Sequence, residues 1–179
     1  DAPKWIQIAG KELGTREFSR TSNTNRKVLN YISSVPALHN VWHNKAKKIR
    51  ASEVDETAWC GCFVNWCLLQ AGLKGYPGID GGRARKWVNH GTPLPLNEPQ
   101  YGAITVVYTK IVDRKTGKVK GTHHVGFYVG MKRDAVVLLG GNQENTNHLK
   151  GLGGGVTVSR FPGWTVKGHV WPEGASIDD

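Results

Sequence analysis

The chain has 179 residues, a length that fits one domain, residues 1–179, and buries a core without disulfide staples. Twenty-four basic against fourteen acidic residues leave a net charge of +10, which favours an anionic partner: nucleic acid, a membrane surface or a bacterial wall. Seven tryptophans argue against a disordered chain, and no apolar run reaches transmembrane length.

In chain order, residues 3–13 predict a first helix. Pro3 suits its first turn, Gly14 its end, and Trp5, Ile6, Ile8, Ala9 and Leu13 give it an apolar side. A polar loop follows over residues 20–25, where Asn25 can cap a second helix holding Val28, Leu29, Tyr31 and Ile32. Residues 33–54 are less clearly patterned. His39 and His43 would share a face if helical, but no third ligand accompanies them, so they read as surface histidines. Lys45, Lys47, Lys48 and Arg50 form a basic run, either a solvated face or the border of a cleft for an anionic substrate.

Residues 59–72 read as a buried helix. Phe63, Trp66, Cys67 and Ala71 recur at helical spacing and almost nothing in the stretch is charged. Thr57 can cap its start and Gly72 can stop it. All three cysteines lie here. Cys60 and Cys67 are two turns apart, about 10 Å along the axis, too far for a disulfide. We read all three as free thiols, and a single Cys-x-Cys pair is a poor zinc signal, so no metal is expected. Cys60 falls in the first turn, where unpaired amides and the positive helix end favour a thiolate. The plain alternative is that three small residues simply pack a core helix.

Residues 75–82 read as loop, 83–88 as helical turns anchored by Trp87, and 91–100, with three prolines, as a connector. The pattern then becomes strand-like over 103–112, 123–130, 135–139, 155–161 and 164–171, with a hairpin turn at Lys115-Thr116-Gly117-Lys118. Helices first and an antiparallel meander afterwards predict an α+β fold. The glycine-rich residues 151–155 lack the preceding strand and the Lys-Ser/Thr pair of a phosphate loop.

A cysteine nucleophile needs a base, and the base needs an orienting group. In the strand around His123 and His124, side chains alternate. His123 shares a face with Val125, Phe127 and Val129, the expected core face. His124 shares one with Gly126 and Tyr128, and Gly126 leaves space for a substrate, so His124 is the expected base. If Lys132, Arg133 and Asp134 close the next hairpin as a three-residue loop, residue 131 faces 135 and His124 faces Asn142. A loop one residue different brings Gln143 opposite instead.

The order cysteine on a helix start, histidine on a strand, amide on the next strand resembles the papain-like cell-wall cysteine hydrolases of the CHAP and NlpC type. The subgroup found in phage lysins and bacterial wall-degrading effectors is the most similar. Its motifs resemble Trp59-Cys60 through Gly72, His124-Val125-Gly126-Phe127-Tyr128-Val129-Gly130, and Leu138-Leu139-Gly140-Gly141-Asn142-Gln143, with further likeness at Trp5, at residues 84–87 and at Trp171-Pro172. The resemblance implies a papain-like fold with N-terminal helices packed on an antiparallel sheet. It implies a peptidoglycan amidase or peptide endopeptidase with Cys60, His124 and Asn142 as triad and Trp59, Gly126 and Gln143 near the substrate, with no cofactor. It also implies action in the bacterial periplasm or wall after secretion or phage delivery, although no signal-like segment is visible. The implied partner is peptidoglycan, with a cognate immunity protein if the chain is an effector; a monomer, no nucleic acid and no membrane insertion are expected. The chain departs from the pattern at Trp59, where many relatives carry Gln, and at Tyr101-Gly102-Ala103, where Pro-Gly-Asp is common. An acyltransferase on the same triad and a non-catalytic basic binding domain are the competing readings.

Overall fold

The computed structural model of the chain describes residues 1–17, 25–53, 58–143 and 154–177. Helix α1 (Lys4–Lys11) starts behind Pro3, and Gly14, at φ +91°, turns the chain away after it. Trp5, Ile6 and Ala9 are its buried side; Leu13 lies beyond its last turn and is half exposed, contrary to expectation. Helix α2 (Arg26–Ser33) is capped by Asn25, whose side chain accepts from the Lys27 amide at 2.9 Å, a bond of the kind worth about 1 kcal/mol. Between α2 and the cysteine helix the chain forms a 3-10 turn (Pro36–Asn40) and a two-stranded hairpin, β1 (Trp42–Asn44) and β2 (Ile49–Arg50). His39 and His43 therefore belong to different elements and share no helical face. Among the described residues no group of three or more His, Cys, Asp or Glu could hold a metal.

Helix α3 (Cys60–Gln70) runs through the core, with only Trp66, Leu69 and Gln70 reaching toward solvent. Thr57 lies outside the described residues, and Trp59, at the cap position, makes no side-chain capping bond. The end is a Schellman motif: Gly72 at φ +80°, its amide on the Leu69 carbonyl, and the Leu73 amide on the Leu68 carbonyl.

The main sheet holds β3 (Thr92–Leu94), β4 (Ile104–Val112), β5 (Val119–Lys132), β6 (Ala135–Gln143), β7 (Gly155–Arg160) and β8 (Thr165–Trp171). Its spatial order is β3-β8-β4-β5-β6-β7, every pair antiparallel. The α+β class is as expected, but the simple meander covers β4 to β7 alone. β8 returns to the far edge of β4. That edge runs through Ile104–Val107, all buried, and needs a partner more than the half-exposed β7 does. Trp171 on β8 then meets Trp5 of α1 edge-on, centroids 5.2 Å apart, and the Trp5 indole donates to the Gly102 carbonyl at 2.8 Å.

Two glycines let α3 lie close on both sides. A Cβ on Gly61 would sit 2.8 Å from the Gly81 carbonyl oxygen, and one on Gly141 would sit 2.5 Å from the Trp59 ring and 2.7 Å from Cβ of Phe63. Trp87 is buried as expected, its indole donating to Gly81 at 3.1 Å and holding that wall in place. Gly141→Ala is therefore expected to lower the unfolding free energy by about 1–3 kcal/mol through overpacking. Urea denaturation reads it; an unchanged midpoint would mean that α3 and β6 are not in close contact.

Candidate active site

Cys60 opens α3, where the first-turn amides have no intrahelical acceptors and the macrodipole is positive. His124 lies on β5, close enough to Cys60 for each group to shift the titration of the other. Both residues are under a tenth exposed. The backbone of Val125, next to His124, and that of Gly61 also favour the ionised sulfur.

The imidazole is held from its other side by Gln143, not Asn142. His124 Nε2 lies 2.9 Å from Gln143 Oε1. The Gln143 amide nitrogen lies 3.2 Å from the Leu138 carbonyl, 2.9 Å from the Thr157 carbonyl and 3.0 Å from the Thr157 hydroxyl. Carbonyls only accept, so this end of the amide is the NH2 and the end facing His124 is the oxygen. His124 Nε2 must then donate, which leaves Nδ1 to exchange a proton with Cys60. Thr157 is itself tied to Ser159, the two hydroxyls 2.6 Å apart.

Two irregularities explain why the register argument for Asn142 fails. The β5–β6 turn is the two-residue pair Arg133-Asp134, both at positive φ, so that Lys132 faces Ala135. A bulge between Tyr128 and Gly130 absorbs the difference, and Phe127 faces Leu139 in the expected register. A second irregularity, between Gly140 and Gln143 on the β7 side, then intervenes. There Asn142 takes the left-handed conformation, φ +55°, and lies against Gly154. One extra residue reverses the faces beyond it, and Gln143 turns to His124.

Trp59 and Gly126, expected beside the substrate, are packing elements. Trp59 is fully buried, and its indole donates to Glu17 Oε1 at 2.7 Å. The space beside Gly126 is filled by Leu138 and the Gln143 amide; a Cβ there would meet Leu138 Cβ at 3.2 Å and Gln143 Oε1 at 3.4 Å. His123, placed in the core by alternation, is half-buried, its ring 4.8 Å from that of Tyr108. Burial, with Lys167 and Arg85 nearby, holds its pKa below the ordinary imidazole value. Sequence reasoning missed Phe161, which stacks on the His124 ring at 5.0 Å and 21° and is braced edge-on by Trp164. It missed Thr157 as well. Neither carries a local signal, because only the β6–β7 pairing brings them to the site.

Burial alone would raise the pKa of Cys60 and lower that of His124. For Cys60 the positive charge on His124, its hydrogen bond and the backbone bonds from Val125 and Gly61 together outweigh burial, and the thiol sits below its ordinary range. For His124 the Cys60 charge and hydrogen bond, then the Gln143 bond, outweigh it in turn, and the imidazole sits above its ordinary range. Both shifts favour the thiolate–imidazolium form. The neighbours behave oppositely: burial and the Cys60 charge push Cys62 up to about 12, and burial with the Glu12 charge pushes Cys67 well up.

A thiol at a helix start whose ionised form is favoured, a histidine beside it and an amide fixing that histidine can perform nucleophilic acyl transfer. Comparison with protein-family profiles, curated proteins and solved structures returned no match.

Native alkylation should consume Cys60 alone and leave Cys62 and Cys67 intact, as read by peptide mass spectrometry. A depressed thiol pKa means that the rate is already high below the ordinary thiol range and falls only as pH drops through the folded-state value. His124→Ala should move that fall to higher pH; an unmoved profile would mean that His124 does not stabilise the thiolate.

Proposed function

We propose that the chain is a papain-like cysteine hydrolase that cleaves an amide bond in the peptide part of bacterial peptidoglycan. The observation that carries this reading is the juxtaposition of Cys60, at the start of α3, with His124, whose nitrogen roles are assigned by its bond to the Gln143 amide. The net charge of +10 supports an anionic polymer as substrate, and the motif resemblance supports the wall.

In this mechanism Cys60 Sγ, deprotonated by His124 Nδ1, attacks the amide carbonyl. The first-turn amide of Cys60 donates to the oxyanion of the tetrahedral intermediate. His124 then delivers its proton to the leaving amine, and a thioester remains on Cys60. Water, activated by His124, attacks the thioester and releases the acid. Gln143 takes no proton; it holds the imidazole in the tautomer that presents Nδ1 to sulfur. Every proton is carried by His124, so the cycle calls for no metal or organic cofactor.

Purified peptidoglycan is the test substrate. Wild-type protein should clear its turbidity and release soluble fragments, while Cys60→Ala and His124→Ala release none and remain folded by circular dichroism. Fragment masses then identify the bond. Equal release by Cys60→Ala and wild type would end the proposal.

Gln143→Ala should reduce turnover by about tenfold to hundredfold, on the order of 1.4–2.8 kcal/mol. Asn142→Gly should stay near wild type, since glycine adopts the same positive φ freely. If Asn142→Gly is the crippled variant, the imidazole is oriented through Asn142 after all.

A further inference from the structure

The long strands β4 and β5 continue past the sheet. β4 pairs with β8 only as far as Tyr108 opposite Thr165, and β5 pairs with β6 only from Phe127 onward. Residues 109–122 therefore pair only with each other, as an unbroken ribbon from Thr109–Thr122 to Val112–Val119. The turn is fixed by Asp113, whose carboxylate accepts from the Lys115 and Thr116 amides at 2.8 and 3.2 Å. From its root the ribbon reaches about 20 Å into solvent.

Its composition does not suit a free-standing ribbon. Residues 110–121 are all exposed, and Ile111, Val112 and Val119 are between 49% and 64% exposed. A two-stranded ribbon with open apolar side chains is marginal by itself. It carries Lys110, Arg114, Lys115, Lys118 and Lys120 against one acid, Asp113, which the turn already uses. None of these five cations is in an ion pair among the described residues. At the root, Tyr108 faces His123 across the ribbon and Lys167 lies 5.7 Å from the Tyr108 ring centre. The next pair toward the sheet is Val107 with His124, so the ribbon grows out of the strand that bears the base.

We propose that this ribbon is an arm that binds the anionic polymer of the bacterial wall, through carboxylate or phosphate groups, and leads it to Cys60. The proposal deepens the peptidoglycan reading and rests on it for the identity of the polymer. Charge complementarity selects the partner chemistry: five cations with no ion pair among the described residues, spread along an extended ribbon, match an extended polyanion rather than a single small ligand. Continuity with β5 ties the arm to the site, because the ribbon and His124 belong to one strand.

The test uses the full chain carrying Cys60→Ala, mixed with purified peptidoglycan and sedimented. It should co-sediment at low ionic strength and be released by salt; binding that ignores salt overturns the proposal. Two variants divide the arm: K110Q/K120Q at the root and R114Q/K115Q/K118Q at the tip. Each should weaken sedimentation, and the two combined should weaken it roughly tenfold or more while leaving the unfolding midpoint in place. In the otherwise wild-type enzyme the combined variant should slow release from intact wall, yet cleave a soluble disaccharide-peptide fragment within about twofold of the wild-type rate, because steering matters for the polymer alone. Undiminished wall binding by the combined variant overturns the arm. So does tighter binding of the Cys60→Ala protein to phosphatidylglycerol vesicles or duplex DNA than to peptidoglycan at the same salt. If the arm-dependent binding appears and wild-type protein cleaves nothing, the hydrolase reading fails and the arm stands. If wild type and the combined variant bind and cleave the wall alike, the arm fails and the hydrolase reading stands.

Discussion

The start of α3 must lie within hydrogen-bonding reach of β5, and backbone alone can come close enough on either side of it. Gly61 removes a side chain where residues 81–82 press on the first turn, and Gly141 removes one where β6 meets Trp59 and Phe63. The bond from Trp59 to Glu17 then fixes the residue just before Cys60. Geometry of this kind matters because a displacement of about 1 Å between reacting groups can cost about hundredfold in rate. Aromatic packing supplies the rigidity: Tyr31 contacts Trp59, Phe63 and Trp66 with centroids 5.0–5.6 Å apart, so α2 clamps the same turn from behind.

Within that frame one helix holds three buried thiols of opposite character. Cys62 and Cys67 meet burial and negative neighbours, and both become harder to ionise. Cys60 is equally buried but faces an imidazole and backbone donors, and it becomes easier to ionise. Low dielectric acts on all of them; it penalises a lone charge and strengthens a compensated pair. The Gln143 amide is the outer member of that pair's support, and its own position depends on carbonyls from β6 and β7. The site is therefore as much a product of the sheet as of the helix.

Local signals were legible in the sequence, and long-range register was not. Asn25 as a cap, Gly72 as a stop, Trp87 as an anchor and the turn at residues 115–118 each act through neighbours within a few positions. Cys60 at a helix start and His124 on a strand were readable for the same reason, and the structure brings the two together. The residue behind His124 was not, because two irregularities stand between the β5–β6 turn and Gln143: the first falls beside Gly130, at φ +155°, but the second puts the left-handed conformation on Asn142, where no glycine marks it. The return of β8 to β4 depends on which strand edge is more buried, which no window of sequence reports. Trp59 looked like a cleft residue because it adjoins Cys60, yet helix geometry turns it into the core.

Thiolate absorbance in the ultraviolet, followed through a pH titration of the native protein, tests the central claim most directly. One thiolate signal should appear below the ordinary thiol range, be absent from Cys60→Ala and move to higher pH in His124→Ala. A native protein that shows no thiolate until the ordinary thiol range is reached, with the same curve in His124→Ala, would contradict it.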